Sequence, residues 1–455
     1  MAKSQDLKKV SGTRTRTGWG RRLGLTAAVL AVLLLGFWAG LGMFIHSDQF
    51  RLWLSQRVSR SLKAEGTFEP LHWSGATFRS SGFHAVGEPK SKFSSIQLDG
   101  ISAHLNAWKL LAGQVVLDDV AVEKANLEFL PVKPAAQGLP GGQPRRPGGK
   151  FPFKIRFAVE AVKVPDLSLA FQSRRGPAGT VEHARLTAVN IGRDVWTLTA
   201  DGGRIQGNFM PATQILRARA TLGSHLLTLT VVDLAFQGGG TVAVHGNVQL
   251  DHPLDADLHG AFEAVDLDAW PTNGEKISGL ASGTVNFSGG LNAVEAGSFQ
   301  GDVKVRQVHY DLSRHLSALK SWARSGFSGS ANLDTVQAHV DYKNHQLSMT
   351  DLQAASGDAL RVTGMVDVAG DQLQGQLQLG VKPALLEWIP GALELVFPQA
   401  HDGYQWTPVQ LSGTLQNPKE DLTKRLVGAM EDRLGKNVKN GLRDAVRSLR
   451  DLLKH

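Results

Sequence analysis

The sequence predicts a mainly-β protein with one N-terminal transmembrane helix, a long body of antiparallel strands and a C-terminal amphipathic helix. Three observations lead to this fold class. The segment from Leu23 to Ile45 is apolar and carries no charge. Short stretches of period-2 alternation, separated by Gly, Asp or Asn turns, then recur to about residue 416. From Asn417 onward, apolar residues recur with helical spacing.

The apolar segment has the length and the flanks of a membrane span. Its 23 residues form about 35 Å of helix, enough to cross a hydrocarbon core of about 30 Å. Trp19 precedes it, and Phe50 and Trp53 follow it at the depth where aromatic side chains meet the membrane–water interface. The predicted anchor residues are Leu23, Leu25, Val29, Leu33, Leu34, Leu35, Phe37, Trp38, Phe44 and Ile45.

Basic residues orient this segment. The arm of residues 1–22 carries seven Lys or Arg residues against Asp6 alone. The positive-inside rule therefore places the N-terminus in the cytoplasm and the body on the other side of the membrane. A cleaved signal peptide is the alternative, with Gly40 and Gly42 as the small residues of its cleavage site.

Composition excludes several classes of site and partner. The chain has no cysteine, so disulfides, thiolate nucleophiles and cysteine metal sites are excluded. The net charge of +8 comes from the two ends, because residues 419–455 add ten basic residues against six acids to the basic arm. The body between them is close to neutral. No nucleic-acid partner is expected, and the basic ends predict contact with an anionic membrane surface.

The chain between the anchor and the tail divides where its pattern changes. Residues 46–65 are predicted to extend the membrane helix, because Leu54, Val58 and Leu62 repeat at four-residue spacing. Strands are predicted over residues 66–130 and 153–416, with short helical segments near residues 106–111, 313–325 and 383–389.

A Pro/Gly-rich segment separates the two strand regions. Residues 131–152 contain six prolines and five glycines. This composition buries too little apolar surface to offset the entropy of ordering, so a disordered loop is predicted. An ordered Pro-rich turn is the alternative.

The tail, residues 417–455, is predicted to form an amphipathic helix. Asn417 is a suitable N-cap, Pro418 fits the first position and Glu420 the third. Two interpretations stay open, since both use the same apolar stripe: an interfacial membrane helix, or a helix that caps the end of a sheet. The basic face proposed for the membrane surface consists of Arg425, Arg433, Lys436, Lys439, Arg443, Arg447, Arg450 and Lys454.

No group of residues predicts catalysis. The sequence lacks H-E-x-x-H, and residues 326–330 lack the last glycine of a nucleophile elbow. Residues 148–150 are followed by Phe151, where a phosphate-binding loop needs Ser or Thr. We therefore expect a protein that is not an enzyme and has neither a metal nor a cofactor. A glycan hydrolase is kept as a third hypothesis, because two carboxylates that meet across a cleft leave no sequence signature.

Three stretches resemble one known family. The run from Ala103 to Phe129 is similar to the N-terminal region of AsmA-like proteins, including their leucine-leucine-x-glycine turn at Leu110-Leu111-Ala112-Gly113. The run from Ile277 to Phe287 resembles the family's later isoleucine-serine-glycine strand, and Leu411 to Pro418 its closing strand before a final helix. With the predicted anchor, the resemblance spans most of the chain.

The resemblance implies a location and a role. AsmA-like proteins, with relatives such as TamB and YhdP, are anchored in the bacterial inner membrane. The resemblance therefore implies a single-pass protein with a periplasmic body, shaped as an elongated, curved antiparallel β-sheet groove. It also implies phospholipid transport between the membranes and a part in outer-membrane biogenesis, with other envelope proteins as possible partners.

Alternating strands give a physical basis for such a groove. A sheet with one apolar face, curved toward that face, forms a hydrophobic trough. The alternative is that these faces close into an ordinary core and that the body is a membrane-tethered scaffold for an envelope protein or a glycan. The predicted groove-lining residues are Leu127, Phe129, Phe153, Ile155, Phe157, Leu167, Leu169, Phe171, Leu227 and Leu229.

Overall fold

A computed structural model of the chain confirms the mainly-β class, with one large mixed sheet of 23 strands. The predicted anchor, apart from Met43, and the Pro/Gly-rich segment lie outside the residues that the structure describes. No helix within the described residues has the length and apolarity needed to cross a membrane. The described residues are 43, 47–88, 91, 93–106, 108–109, 114–129, 156–172, 178–192, 194–208, 210–251, 254–270, 277–291, 294–311 and 330–434.

The sheet is flanked by two α-helices, α1 (Asp48–Leu62) and α2 (Leu422–Leu434). Its strands, in chain order, are β1 (Ala64–Phe68), β2 (Leu71–Ser74), β3 (Thr77–Gly87), β4 (Ser95–Leu105), β5 (Gln114–Phe129), β6 (Arg156–Val159), β7 (Ala161–Gln172), β8 (Ala178–Gly192), β9 (Val195–Asp201), β10 (Arg204–Gly207), β11 (Thr213–Leu222), β12 (Leu226–Phe236), β13 (Thr241–Gln249), β14 (Asp255–Asp266), β15 (Ile277–Gly290), β16 (Ser298–Asp311), β17 (Ser330–Lys343), β18 (Gln346–Ser356), β19 (Leu360–Ala369), β20 (Gln372–Val381), β21 (Gln399–His401), β22 (Tyr404–Thr414) and β23 (Asn417–Glu420).

Strand pairing follows chain order, so the sheet is a long ribbon. From β11 to β20 each strand pairs with the next in antiparallel fashion, and β20 then pairs with β22. At one end β1 and β2 share the edge of β3, and at the other β21 and β23 share β22. Neighbouring strands lie about 4.8 Å apart, so the sheet extends on the order of 85 Å in the direction perpendicular to its strands.

One junction departs from the predicted antiparallel pattern. β5 pairs in parallel with β6 through residues 114–117 and with β7 through residues 120–129. Parallel neighbours need a crossover connection of a dozen or more residues, because the chain must return to the start of the first strand. The Pro/Gly-rich segment lies in this connection. The described sheet is therefore mixed rather than wholly antiparallel.

Irregular pairing bends the ribbon. Register shifts interrupt the ladders β7–β8, β11–β12, β14–β15 and β18–β19, among others. Left-handed backbone accompanies such shifts, as at Ala264 and at Gly246, whose φ is +142°. A Cβ at Gly246 would lie 2.1 Å from the carbonyl oxygen of Asp257, so only glycine fits there. Bulges twist and bend strands, and the sheet is thus not flat.

Helix α1 packs on the first strands. Its N-cap Ser47 is extended, with φ −91° and ψ 154°, and Lys63 ends it in the left-handed region. The predicted helical segment of residues 46–65 thus contains a helix, Asp48–Leu62, which is shorter than predicted because Ser47 is extended and β1 begins at Ala64. Two hydrogen bonds join the helix to β1: Phe68 N–H donates to Ser55 Oγ at 3.0 Å, and Gly66 N–H donates to Ser59 Oγ at 3.1 Å.

The C-terminal helix begins later than predicted. Asn417 to Glu420 form β23, which pairs with Leu411 to Thr414 of β22, so the predicted cap at Asn417 is wrong. Asn417 N–H instead donates to Thr414 Oγ1 at 3.1 Å within this hairpin. The cap is supplied by Glu420, whose carboxylate accepts the Thr423 N–H at 2.9 Å. The helix begins at Leu422, a few residues after the predicted start, because Asn417 to Glu420 belong to a hairpin.

Candidate functional site

Strand register separates apolar from polar side chains across the sheet, since successive residues of a strand point to opposite faces. We call the two sides the apolar face and the polar face. Directly paired residues from β14 to β22 define the apolar face: Val265, Ala281, Val305, Val336, Ala354, Val362, Leu379 and Thr407. The row one residue away defines the polar face: Ser282, Lys304, Gln337, Gln353, Thr363, Gln378 and Pro408.

The apolar face is covered by a helix only at its two ends. Near α1, a single buried cluster extends from Phe50 and Leu54 of the helix across the first strands to Ile215 of β11. Near α2, a second cluster joins Val381 and Ala429 with Val396 of a short π-helix, Ala392–Val396. Between these ends the described chain has no α-helix, and its helical segments there are the 3₁₀ helices Leu267–Ala269 and Val294–Ala296.

In this middle stretch half-buried apolar side chains alternate with buried ones, such as Val265, Ala281 and Val366. Along β13 and the first part of β20 the exposure alternates, with Val242 and Leu377 half-buried and their neighbours exposed. A small buried cluster lies around Phe287 and Val248 at one margin of the strands, and Trp270 packs against Phe236 at 5.6 Å between ring centroids. The stretch is therefore a strip of partly accessible Val, Leu, Ile, Met and Phe side chains that continues from strand to strand.

Seven of the predicted groove-lining residues lie on this face by register. Leu127 pairs with Leu169, Phe129 with Phe171, and Leu167 with Ala125 and Ala184. Leu227 and Leu229 pair with Leu222 and Ala220. Phe157 of β6 pairs with Val115 of β5. The side chains of Phe153, Ile155 and Phe157 lie outside the part of the chain that the structure describes.

Two of these seven lie in a closed core rather than in an open trough. Leu167 is buried within the cluster under α1, and Leu127 packs against that cluster. The accessible strip lies further along the chain, where residues such as Val305, Val336 and Met349 were not selected from the sequence. The sequence shows period-2 alternation in each of these strands. The register of the paired strands is what joins their apolar rows into one strip.

The aromatic residues expected at the membrane interface are instead part of the fold. Phe50 is 3% exposed, stacks on Trp53 at 5.7 Å between ring centroids and contacts Trp73 at 5.9 Å. This packing joins α1 to the β2–β3 hairpin. The prediction that Phe50 anchors at the interface is therefore wrong.

The described part of the basic tail, α2, packs against the protein at the end of the sheet. Arg425 donates to the carbonyl oxygens of Pro408 at 2.5 Å and Val396 at 3.3 Å, and also to Thr407 Oγ1. Arg433 forms an ion pair with Glu394 at 3.3 Å. These two residues were predicted to contact a membrane surface, and their contacts are intramolecular. Lys436, Lys439, Arg443, Arg447, Arg450 and Lys454 lie outside the described residues.

Replacing Arg425 tests this capping contact. We expect Arg425→Met to loosen α2 from β22, because Thr407 Oγ1, which is fully buried, loses its charged donor at a cost of about 1–3 kcal/mol. Amide hydrogen exchange in α2 and in Ala392–Val396 measures the effect. Lys424→Met is the matched control, since Lys424 is exposed on the same helix. Equal exchange in the two variants would contradict the proposed contact.

The polar face carries a furrow along the line of bulges. Its widest part has a volume of about 720 Å³ and is bordered by Asp233, Glu263, Ser282, Lys304 and Arg306. A second depression of about 270 Å³ shares Ser282 and Lys304 with it and reaches Gln353. A third of about 310 Å³ shares Gln337 and Gln353 with the second and ends at Tyr404 and Trp406. The furrow thus continues across the strands from β12 to β22.

The titratable side chains of the described residues form isolated pairs. None of them form a group of three or more His, Asp and Glu placed to hold a metal ion. His339 hydrogen-bonds to Asp302 at 2.8 Å, and His225 pairs with Asp251 at 2.9 Å. These are partners on the sheet surface, on adjacent strands or across a turn.

Comparison with known proteins yields no relative. The sequence matches no protein-family model, and it matches no curated protein and no solved structure. The resemblance to AsmA-like proteins therefore stays a prediction from the sequence motifs.

Proposed function

We propose that the chain is an AsmA-like, membrane-anchored protein whose apolar face accommodates the acyl chains of phospholipids. In this proposal the anchor spans the bacterial inner membrane and the body lies in the periplasm. The protein moves phospholipid for outer-membrane biogenesis and performs no catalysis. The observation that carries the proposal is the strip of half-buried apolar side chains between two helix-capped ends.

The strip fits an acyl chain better than it fits a partner that needs specific polar recognition. Burying one methylene group contributes about 0.8 kcal/mol, so a chain covered along even half its length gains several kcal/mol. Because neighbouring rows are alike, a lipid meets a similar surface at each step. A continuous surface of this kind favours movement along the sheet over tight binding at one point.

The parts of the apolar face that stay open to solvent also need an occupant. Monomeric soluble proteins rarely expose apolar patches larger than a few hundred Å² without a binding role. The row from Val265 to Leu379 crosses seven strands. Its half-buried members are Val305, Val336, Val362 and Leu379, and its other three residues are buried. Lipid supplies the cover without requiring a fixed partner.

Site-specific photo-crosslinking in cells tests the proposal on the full chain. A photoreactive amino acid at Val305 is expected to form adducts with phospholipid, because this side chain lies on the apolar face. The same amino acid at Lys304 is the control, one residue away on the polar face. Mass spectrometry of the adducts identifies the lipid. Absence of lipid adducts at Val305, or equal adducts at both positions, would overturn the proposal.

A membrane-tethered scaffold is the second candidate function, favoured by the polar furrow. Its border combines acidic, basic, amide and hydroxyl side chains with apolar residues such as Leu216 and Phe262, and this mixture suits a protein segment or a glycan. The crosslinks at Lys304 distinguish the two functions, since that residue borders the furrow. Protein or glycan adducts there, with none to lipid at Val305, would favour the scaffold.

A further inference from the structure

The third depression of the polar furrow, between β17 and β22, has a lining that lipid transport along the apolar face does not use. It is bordered by Gln337, Gln353 and Thr363, which belong to the polar face of the sheet. Its volume of about 310 Å³ lies at the lower end of the range of about 300–1,000 Å³ that small-molecule sites occupy. The depression is therefore large enough for a small ligand.

Strand register gives this depression a floor of small side chains around one arginine. Arg361 of β19 pairs with Ala355 of β18 on one side and with Gly380 of β20 on the other. Ala355 pairs in turn with Thr335, and Gly380 pairs with Trp406. Arg361 is thus the one long side chain among small neighbours, and room for a ligand remains beside its guanidinium group.

Trp406 forms a wall of the depression at its β22 end. Its ring stacks on His401 of β21 at 4.7 Å between ring centroids, and its Nε1–H donates to the His401 carbonyl oxygen at 3.2 Å. A Cβ at Gly380 would lie 2.7 Å from the indole, so the ring lies directly on the sheet. A wall that is already packed loses little conformational freedom when a ligand binds, and this favours affinity.

Two cations lie against one tyrosine ring beside this wall. Arg361 Cζ is 5.8 Å from the centroid of the Tyr404 ring, and Lys382 Nζ is 4.5 Å from the same centroid. Cation–π contacts hold both side chains there. No carboxylate among the described residues forms an ion pair with either cation. Two like charges held together without a counter-ion create a positive potential that attracts an anion.

The other lining groups complement hydroxyl groups. Tyr404 is 7% exposed, and its hydroxyl has no hydrogen-bond partner within the described part of the chain. Gln337 Nε2 donates to Gln353 Oε1 at 2.9 Å, which orients the two amides and leaves the Gln337 carbonyl oxygen and the Gln353 amino group for a ligand. Asp402, which also borders the depression, is an acceptor. Donors and acceptors in this mixture suit alcohol hydroxyls, since each of these both donates and accepts.

We propose that this depression binds a phosphate ester of a polyhydroxylated compound, with the phosphate at Arg361 and the hydroxyls at the Gln337–Gln353 amides. The planar guanidinium group matches two phosphate oxygens, and the Tyr404 hydroxyl donates to a third. A sugar phosphate and the glycerol headgroup of a phospholipid share this chemistry. The site is independent of lipid transport along the apolar face, because Arg361 and Val362 are successive residues of one strand and point to opposite faces.

Isothermal titration calorimetry of the full chain in detergent tests the site with two water-soluble probes. One is glucose 1-phosphate, and the other is glycerophosphoglycerol, the deacylated headgroup of phosphatidylglycerol. We expect Arg361→Gln to weaken binding of the better probe at least about tenfold, because a charged hydrogen-bond donor is lost. Tyr404→Phe keeps the ring beside both cations and removes only the hydroxyl, so we expect a loss of about threefold.

Arg219→Gln is the matched control for these variants. Arg219 is an exposed arginine of β11, on the same face of the sheet and outside the depression. We expect this variant to bind both probes as the unchanged chain does. Unfolding temperatures are compared first, and Tyr404→Phe keeps the test decisive if Arg361→Gln is unstable.

The two probes also distinguish the sources of the phosphate. Tighter binding of glucose 1-phosphate would indicate a sugar phosphate, and tighter binding of glycerophosphoglycerol a lipid headgroup. The proposal fails if neither probe binds, or if the Arg361→Gln and Arg219→Gln variants bind the better probe equally. It also fails if inorganic phosphate binds as tightly as that probe, because the amides then contribute nothing. None of these results bears on lipid crosslinking at Val305.

Discussion

Introducing a carboxylate at Val305 is expected to interrupt the lipid path along the apolar face. Val305 pairs directly with Val336 of β17, so the two side chains share one patch of the strip. An acyl chain over this patch would strip water from the new Asp without supplying a partner. Such a loss of hydration costs several kcal/mol, and each 1.4 kcal/mol is a factor of ten. We expect Val305→Asp to lower lipid crosslinking from a photoreactive amino acid at Val336 by at least about tenfold.

Lys304→Asp is the control for this prediction. It places the same carboxylate one residue away, on the polar face, and we expect lipid crosslinking at Val336 to be unchanged. Val305 is half-buried, so its replacement also carries a modest cost in strand stability, of up to about 1 kcal/mol. The thermal unfolding temperatures of Val305→Asp and Lys304→Asp therefore need to be measured and to match before their lipid crosslinking is compared. Unchanged crosslinking in folded Val305→Asp protein would mean that lipid does not pass over this face.

The sequence predicted the strands of this sheet well but not their connectivity. Period-2 alternation reports one buried and one exposed side, and that is the pattern of Val242 and its neighbours. Alternation carries no information on which strand lies next to which. The parallel pairing of β5 with β6 and β7 depends on a long connection, and composition in that connection indicated only the absence of a regular element. The mixed character of the sheet was therefore not predictable.

The candidate site shows the same limit. Leu167 and Val305 have similar sequence surroundings, yet one is enclosed under α1 and the other lies on an accessible strip. Long-range packing of a helix decides the difference, and local pattern does not encode it. Arg425 illustrates the point for charge, since a helical wheel places it on the polar side but not against Thr407. The sequence of a helix or strand determines which of its faces is apolar. The elements that pack against it determine whether that face forms a core, a contact or a binding surface.

Removing the ring of Phe83 is expected to weaken the end of the sheet that carries α1 more than any other single truncation in that cluster. Phe83 has no exposed surface and packs against Phe68 at 4.5 Å between ring centroids. It belongs to the cluster that holds Phe50 and Leu54 of α1. Truncation of a buried Phe to Ala typically costs about 3–5 kcal/mol, because the cavity collapses only in part.

Phe83→Ala is expected to affect function because it weakens the packing of α1 on the sheet. Because α1 joins the predicted anchor to the sheet, a loosened cluster frees the helix and with it the position of the sheet on the membrane. We expect faster amide exchange throughout α1 and β1, with little change in β13 to β20, since pairing in a ribbon is local. Val86→Ala on the same strand is the control, as Val86 is 53% exposed. Equal exchange in both variants would show that α1 docks independently of this core.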